Sequence, residues 1–417
     1  MSSILESLKG NTILKNAVFL GIIQIFNYAF PLITIPYLVK IFGLSIFGMI
    51  SMAQLAASYI YIVTDYGFNL SGTRKVVLEK YNVEALNTTF SSIIVTKLLL
   101  SLLCLIVAFT IFILVPTFNV DFSFYFIISL SVIGQVFFPT WFFQGMEDMK
   151  IISIINGISR AITTALIILL IKSQHDLLEY AILFTFSNII VGFCAFFYCK
   201  RKYHLKIVTV TYKQIIYFLK SGFNVFLPTF FSNVLTTGGI LVLGLYHSEK
   251  LVGIFNSIDK FVKAFVSFVG SVTQALFPSL SSKFLTDKAE AMKLLFSYGK
   301  KIMFFLFFCF ILSVFIGKSF LEFIYDKSYA DYAYILYILM GWVLLSFMNN
   351  FIGIQFLVGS GNSLIYRKSF LISVFFTISL FYLIIPYKIN GLLCAVVLGE
   401  ISLMITMLYF IKKIGFK

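Results

Sequence analysis

The stretch "LLLSLLCLIVAFTIFILV", residues 98–115, contains no charged side chain and decides the class of the chain. A helix rises 1.5 Å per residue, so about 20 such residues cross the hydrocarbon core of a bilayer. The same character extends over all 417 residues, of which 60% are hydrophobic and 12% charged, whereas soluble domains carry roughly 25% charged residues. The apolar runs do not alternate strictly, so they predict helices and not a barrel. We therefore expect an all-α polytopic membrane protein.

Twelve apolar windows, bounded by charged residues, Gly, Pro or Asn, are predicted as transmembrane helices. They cover residues 13–38, 46–69, 86–115, 122–145, 149–171, 177–199, 213–245, 251–281, 296–324, 331–358, 364–385 and 389–411. The polar stretch "CKRKYHLKIVTVTYK" at 199–213 separates six windows from six. We therefore predict an N-terminal six-helix lobe over residues 1–205 and a C-terminal six-helix lobe over residues 206–417. The short loops leave no room for a soluble catalytic domain.

The distribution of Lys and Arg predicts the orientation, because cytoplasmic loops retain positive charge. With the N-terminus in the cytoplasm, 21 basic residues fall on the cytoplasmic side, including Lys9, Lys15 and Lys417, and only 6 fall outside. Both termini are therefore predicted to be cytoplasmic. The basic pair in "TDYGFNLSGTRK", residues 64–75, is first a topology signal, so nucleic acid is not expected as a partner.

Weak internal similarity relates the two halves. Shifts of 205 and 214 residues align Leu14 and Lys15 with Leu219 and Lys220, "IFG" at 46–48 with "LVG" at 251–253, and Gly145 with Gly359. Because each half has an even number of spans, both halves enter the membrane from the same side, as in parallel-repeat transporters. The expected architecture is two six-helix bundles around a central cavity.

Charged residues inside the predicted spans are the functional candidates, because a charge at bilayer depth costs at least roughly 2.5 to 3.5 kcal/mol unless it faces water or a partner. They are Asp65, Lys97, Arg160, Lys220, Asp259, Lys260, Lys263 and Glu400. Asp65 and Lys97 lie near span ends and could instead reach the interface by snorkelling. Arg160 lies about eleven residues into its span, near mid-membrane, which favours a cavity role.

The densest cluster of these charges is in "GIFNSIDKFVKAF", residues 253–265. Asp259 and Lys263 are four residues apart and can pair on one helix face, whereas Lys260 points about 100° away. One lysine would then lack a local partner, as an anionic substrate such as a pyrophosphate requires. The alternative is a structural pair with an acid on another helix, such as Asp65 or Glu400.

Glu400, in "VVLGEISLM", lies deep in the last predicted span. Desolvation would favour its protonated form, which suits proton coupling. A neutral acid bonded to a neighbouring helix is the alternative. No P-loop, nucleophile elbow, metal motif or Cys cluster is found in the sequence, so neither an enzyme nor a cofactor is predicted. The aromatic residues Tyr37, Trp141, Tyr325 and Tyr329 lie near span ends and are predicted to join the interfacial aromatic belt.

Four stretches resemble the polysaccharide transporter family of the multidrug/oligosaccharidyl-lipid/polysaccharide (MOP) exporter superfamily, particularly the Wzx-type O-antigen flippases. They are "FPLITIPYLVKIFGLSIFGMISMAQ" at 30–54, "DYGFNLSGTRKV" at 65–76, "FFQGMEDMKIISIINGISR" at 142–160, and "VGIFNSIDKF" with "ALFPSLS" at 252–281. The resemblance implies a two-lobed fold like that of multidrug MATE transporters. It also implies flipping of undecaprenyl-pyrophosphate-linked oligosaccharide from the cytoplasmic to the periplasmic leaflet of the bacterial inner membrane.

By position, the resemblance assigns Asp65 to the acid of the family that precedes "YGF" and Arg160 to the basic residue of its fifth helix. Asp259 and Lys260 match an element of its eighth helix, where this chain reads "SIDK". The family implies a cationic cavity, for which Arg160, Lys260, Lys263, Lys97 and Lys220 are the candidates. Asp65, Asp259 and Glu400 are then candidates for gating or for coupling to H+ or Na+. A polysaccharide polymerase and a chain-length regulator are candidate partners beside the lipid bilayer.

Several other functions compete with flipping of a lipid-linked sugar. An ion-coupled multidrug exporter of the same superfamily would also have twelve spans, although the "DYGF" stretch argues against it. A lipid II flippase would be expected to have two more helices. A structural membrane scaffold would have no reason to keep Arg160, Lys260 and Glu400 at depth.

Overall fold

The structure is a computed structural model that describes residues 12–119 and 121–414. Side chains are described from residue 30 onward, except at 117, 119, 268, 271, 274, 275, 278, 279, 285 and 414. Lys9 and Lys417, used above for orientation, lie outside the described residues, and Leu14 and Lys15 lie outside the described side chains. Within the described part of the chain every regular element is a helix.

Sixteen α-helices follow one another. They are α1 Thr12–Asp65, α2 Phe68–Glu79, α3 Val83–Leu114, α4 Pro116–Asn119, α5 Phe122–Ser129, α6 Val132–Phe137, α7 Thr140–Gly145, α8 Met149–Leu170, α9 Leu177–Lys202, α10 Tyr212–Asn233, α11 Gly239–Tyr246, α12 Glu249–Thr286, α13 Lys288–Ile324, α14 Ala333–Asn350, α15 Ser363–Leu380 and α16 Ile384–Ile414. Two π-helices, Val234–Gly238 and Phe351–Val358, continue α10 and α14. Three short 3-10 helices are Gln174–Asp176, Lys327–Tyr332 and Phe381–Leu383.

Nine helical stretches among the described residues are long and apolar enough to cross a membrane. Two of them contain a backbone break that separates two predicted spans, at Gly43 (φ 74°) within α1 and at Lys388 (φ 54°) within α16. Helix α12 covers the eighth predicted span. The prediction of an all-α polytopic membrane protein is confirmed, and the first two predicted spans and the last two are joined without a conventional loop.

The chain forms two compact units. One contains residues 1–43 and 49–233, and the other contains residues 44–48 and 234–417. Helix α10 therefore belongs to the first unit. It packs on the turn before α2, where an added Cβ at Gly67 would lie 2.8 Å from the Cβ of Val225. The two lobes predicted from the sequence, 1–205 and 206–417, stay a prediction.

The core of the first unit is aromatic, and the predicted belt residue Trp141 lies inside it. Trp141 is fully buried and its ring centroid is 5.9 Å from that of Phe90 and 5.7 Å from that of Phe142. Trp141 therefore does not belong to an interfacial belt, because its helix packs it against α3. Tyr37 is half-buried and donates a hydrogen bond to the backbone carbonyl of Ile171.

In the second unit, the predicted belt residues Tyr325 and Tyr329 are also buried. Their rings stack with centroids 4.5 Å apart, and both hydroxyls reach Ser257 of α12. The Tyr329 hydroxyl lies 2.9 Å from the Ser257 hydroxyl, and the Tyr325 hydroxyl donates to the Ser257 carbonyl at 3.1 Å. The belt prediction is wrong for these tyrosines because their hydroxyls find partners within the protein. They fix the Lys327–Tyr332 turn on α12.

Two glycines related by the 205-residue shift meet in a close backbone crossing within the second unit. A Cβ added to Gly48 would overlap the carbonyl oxygen of Glu249, and one added to Gly253 would overlap that of Leu44. Each carbonyl therefore belongs to the residue four positions before the opposite glycine. This reciprocal geometry is what the predicted internal repeat would produce, and it requires glycine because backbone atoms fill the space.

The second aligned pair of glycines has similar surroundings in each unit. A Cβ added to Gly145, at the end of α7, would lie 2.6 Å from the Cβ of Val76 in α2. One added to Gly359, just after the π-helix Phe351–Val358, would lie 3.6 Å from the ring of Phe284 near the end of α12. In each half, the end of the fourth predicted span therefore packs against the end of the second.

Candidate functional site

Asp65 and Lys97 form a buried ion pair in the first unit. The Lys97 Nζ donates to Asp65 Oδ1 at 3.0 Å, and the two side chains are 2% and 12% exposed. The Nζ also lies 5.9 Å from the ring centroid of Tyr61. Snorkelling was the alternative interpretation, but both groups find a partner inside the protein. Lys97 therefore reaches a countercharge that lies 32 residues earlier in the chain.

The turn that carries Asp65 is built by "DYGF", residues 65–68. Helix α1 ends at Asp65, Tyr66 and Gly67 adopt positive φ values of 45° and 76°, and α2 begins at Phe68. The Tyr66 ring stacks on Phe226 of α10 with centroids 4.6 Å apart. The motif therefore turns the chain sharply and docks it on α10, which holds the Asp65 carboxylate in place.

Arg160 lies halfway along α8, a helix of 22 residues. Its side chain is half-buried. Its guanidinium has neither a hydrogen bond nor an ion pair with any residue that the structure describes. A guanidinium presents five donors in a planar fork that matches phosphate oxygens. Among the described residues, therefore, no protein group neutralises Arg160.

The Asp259 cluster lies on α12 in the second unit. Lys263 pairs with Asp259 at 2.6 Å, as the four-residue spacing predicts, and also donates to the carbonyl of Thr236 at 3.0 Å. Lys260 is half-buried, and the Asp259 carboxylate acts on it as well, so Lys260 is not without a countercharge. One carboxylate serves two ammonium groups, so these three residues together carry a net charge of about +1.

Glu400 of α16 contacts Asn349 of α14. The Asn349 side-chain amide donates to the Glu400 carboxylate and, at 2.8 Å, to its backbone carbonyl. Asn349 is buried, and its Oδ1 has no hydrogen-bond partner in the described part of the chain. Asn349 is not among the residues predicted from the sequence, because it carries no charge. An amide in an apolar span would have been the signal.

The eight predicted residues therefore form separate groups. The structure brings Asp65 and Lys97 together in the first unit and Asp259, Lys260 and Lys263 together in the second. Arg160 contacts neither Asp65 nor Lys97 in its own unit, and Glu400 contacts Asn349 in the second unit. Lys220 is exposed on α10 and has no ion pair with a described residue. None of the acids pairs with Arg160.

A further polar group lies in the "FFQGMED" stretch after α7. The Asp148 carboxylate accepts hydrogen bonds from the Lys202 ammonium and, at 2.8 Å, from the Tyr203 hydroxyl. Burial of the Tyr203 hydroxyl, beside Asp148, raises its pKa. These contacts tie the loop before α8 to the end of α9, and so help to fix the helix that carries Arg160.

Comparison with known proteins places the chain in a family. The sequence model of the family described as "Polysaccharide biosynthesis protein" matches residues 13–284, which is more than half of the chain. The "Putative O-antigen transporter" of Escherichia coli (strain K12) is 26% identical over 281 residues, which cover 67% of this chain and 68% of the relative. A protein of the same description from Shigella dysenteriae is 28% identical over 267 residues, or 64% and 67% of the two chains.

Two solved structures share the fold. An inward-facing multidrug resistance MATE family transporter of the MOP superfamily superposes with a TM-score of 0.68 at 12% identity, covering 96% of this chain and 98% of that one. The lipid II flippase MurJ, in an inward closed conformation, gives a TM-score of 0.68 at 16% identity, covering 95% and 87%. The relatives described here are named as transporters or flippases, in agreement with the prediction that the chain is not an enzyme. The resemblance found in the sequence is confirmed: this chain belongs to the polysaccharide biosynthesis protein family and has the fold of the MOP superfamily.

Proposed function

We propose that the protein flips undecaprenyl-pyrophosphate-linked oligosaccharide, an O-antigen-type repeat unit, from the cytoplasmic to the periplasmic leaflet of a bacterial inner membrane. Family membership and the names of the relatives support transport of this class of cargo. The observation that carries the proposal in this chain is Arg160, a half-buried guanidinium at mid-helix without a protein partner among the described residues. Transport would proceed by alternating access, with both termini in the cytoplasm.

The chemistry of the cargo fits the charges that the two units hold. A pyrophosphate is an anion with many acceptor oxygens, and a guanidinium binds such groups through parallel hydrogen bonds. The cluster of Asp259, Lys260 and Lys263 adds a net positive charge in the second unit. We assign Arg160 and this cluster as substrate contacts, each in its own unit. Lys97 is less suited because Asp65 already neutralises it.

A multidrug exporter is the second candidate, since the MATE and MurJ structures match the fold equally well. The deciding experiment measures leaflet inversion of a labelled undecaprenyl-pyrophosphate oligosaccharide in proteoliposomes, with and without proton and sodium gradients. Protein-dependent inversion would support the flippase, and gradient sensitivity would identify the coupling ion. Export of a small cationic dye without inversion of the lipid-linked sugar would favour the exporter.

We expect Arg160→Ala and Lys260→Ala each to abolish inversion of the lipid-linked sugar and surface polysaccharide. The reason is that removing one charged partner of a desolvated phosphate contact costs about 2 to 5 kcal/mol, or at least about 30-fold in binding. Protein in the membrane should stay at the wild-type level, measured by fluorescence of a tagged chain. The control is Lys318→Ala, which removes an exposed cation near the C-terminal end of α13, outside the proposed substrate contacts. This variant should transport normally. Normal polysaccharide in both test variants would refute a cationic substrate site.

Glu400 is expected to couple transport to protons, because it is the acid that lies deepest in the last span and it borders a buried amide. Wild-type inversion should then depend on pH, whereas Glu400→Gln, which cannot change its charge, should give a flat profile. Asn349→Asp, which adds a second acid beside Glu400, should shift the wild-type profile. Identical pH profiles for wild type and Glu400→Gln would rule out proton coupling through this residue. Its hydrogen bond to Asn349 would then have a structural role only.

A further inference from the structure

A long groove of about 940 Å³ lies within the second unit, and Asp259, Lys260, Lys263 and Glu400 are not among the residues that line it. Helix α13 forms one wall, the end of α16 forms the other, and the end of α14 with the π-helix Phe351–Val358 forms the floor. We propose that this groove binds the isoprenoid chain of a polyprenyl phosphate, with the phosphate at the end where α13 begins. The inference rests on the proposed function, because it assigns a binding site for the lipid part of the cargo or its carrier.

The residues of α13 that line the groove form one continuous stripe. From Lys288 through Met292, Leu295, Gly299 and Met303 to Phe307, they recur every three or four residues. At 1.5 Å per residue, this stripe extends about 28 Å, nearly the thickness of a hydrocarbon core. The groove is therefore long enough to hold an extended chain and not only the end of one.

Away from the end where α13 begins, the lining of the groove is apolar and adaptable. Phenylalanines and methionines from α13 and the floor predominate, Leu408 and Ile411 line the α16 wall, and Phe304 remains 76% exposed in the protein alone. Methionine fills irregular gaps and aromatic rings offer large apolar faces, which suits a branched, unsaturated chain of several conformations. The exposed rings need a cover that the described residues of this protein do not supply.

The shape of the floor depends on one glycine and one π-helix. A Cβ added to Gly299 would lie 2.7 Å from the ring of Phe351, so the missing side chain lets that ring lie directly on α13. Phe351 is the first residue of the π-helix Phe351–Val358, and π-helical segments occur frequently at functional sites. The contact closes the groove at its base and leaves the outer side open for a lipid to enter laterally.

The charge at one end selects the kind of amphiphile. Lys288 begins the stripe, and Lys300 lines the groove 12 residues, or about 18 Å, further along α13. Both are exposed and neither has an ion pair with a described residue. Ser360 and Asn362 add hydrogen-bonding groups at the end where Lys288 lies. Cations beside an apolar groove complement a molecule with one phosphate and one long chain, and each lysine near such a headgroup contributes about 1 kcal/mol. Lys293 and Lys301 lie on the same helix outside the groove.

The test uses the full-length protein in nanodiscs and an undecaprenyl monophosphate that carries a photoreactive group at the far end of its chain. We expect labelled peptides from α13 around Met303 and from α14 around Met348. Met303→Trp and Met348→Trp fill the groove from opposite sides, and each should lower labelling on the order of tenfold, equivalent to about 1.4 kcal/mol. Phe308→Trp, at an exposed position of α13 outside the groove, is the matched control and should label normally.

The charged end is tested separately. Lys288→Gln should weaken competition by unlabelled polyprenyl phosphate about fivefold. Lys300→Gln, about 18 Å further along the groove, should weaken it less, and Lys293→Gln and Lys301→Gln should not weaken it. Labelling that persists in both tryptophan variants, or equal displacement by phosphatidylglycerol, would overturn the proposal. If wild type inverts the lipid-linked sugar and both tryptophan variants do so equally, the groove proposal fails and the flippase stands. Groove labelling without any inversion would contradict the proposed function alone.

Discussion

Lys97→Met is expected to lower the free energy of unfolding by about 3 to 5 kcal/mol, because it leaves the Asp65 carboxylate buried without its countercharge. The Lys97 side chain is 2% exposed and that of Asp65 is 12% exposed, so water cannot readily replace the lost partner. The loss should appear as a lower midpoint of thermal or detergent-induced unfolding of the purified protein. An unchanged midpoint would mean that Asp65 is protonated or hydrated in the folded chain.

Two further variants separate the stability of this pair from its role in transport. Asp65→Asn combined with Lys97→Met removes both charges and should recover most of the lost stability, as neutral replacement of buried pairs often does. Lys75→Met breaks the surface pair with Glu79 and should cost only about 0.3 to 0.5 kcal/mol. If the double variant folds but does not invert the lipid-linked sugar, the pair takes part in the transport cycle. Normal inversion would make it purely structural.

Alanine at Gly48 or at Gly253 is expected to cost about 1 to 3 kcal/mol of stability each, because the added Cβ meets backbone and cannot be relieved by a rotamer change. Either substitution must move α12 away from residues 44–48. The double variant should cost less than the sum of the single ones, since the first displacement already makes room for the second Cβ. Thermal unfolding midpoints of the three purified variants measure this.

Gly270→Ala is the matched control, because it lies on the same helix α12 and an added Cβ would meet nothing within 4 Å. It should be neutral or slightly stabilising, since alanine favours helix over glycine by up to about 1 kcal/mol. Strictly additive losses of stability for the alanine variants of Gly48 and Gly253 would show that the two backbone contacts are independent of each other.

The sequence predicted the helical class and the approximate spans because apolar length and charge boundaries are local properties. The gaps predicted between spans at 38–46 and 385–389 contain the backbone breaks at Gly43 and Lys388. The sequence did not show that single non-helical residues, and not ordinary loops, make these breaks. The prediction of an aromatic belt was wrong for Trp141, Tyr325 and Tyr329, because the position of a residue near a span end does not show which residues it packs against. The division into lobes at residue 205 stays a prediction.

For the candidate site, the sequence predicted which charged residues lie within the spans, but only part of their pairing. The Asp259–Lys263 pair follows from a spacing of four on one helix and is present. The Asp65–Lys97 pair joins two helices, and no local rule relates their positions. Asn349 was not predicted because an uncharged amide destabilises a transmembrane helix much less than a charge does, so its presence alone does not indicate a functional site. The roles of Arg160, Lys220, Lys260 and Glu400 in transport remain predictions.

The paired glycines also bear on the history of the gene. Tandem duplication of a six-helix ancestor would leave two sets of anchors, and the chain advances 97 residues from Gly48 to Gly145 but 106 from Gly253 to Gly359. The later copy thus holds nine more residues between its anchors, in an interval that contains the hairpin of α12 and α13, helices of 38 and 37 residues. Backbone contact thus excludes a side chain at Gly48 and at Gly253 alike, whereas the length of chain that follows each glycine differs between the halves.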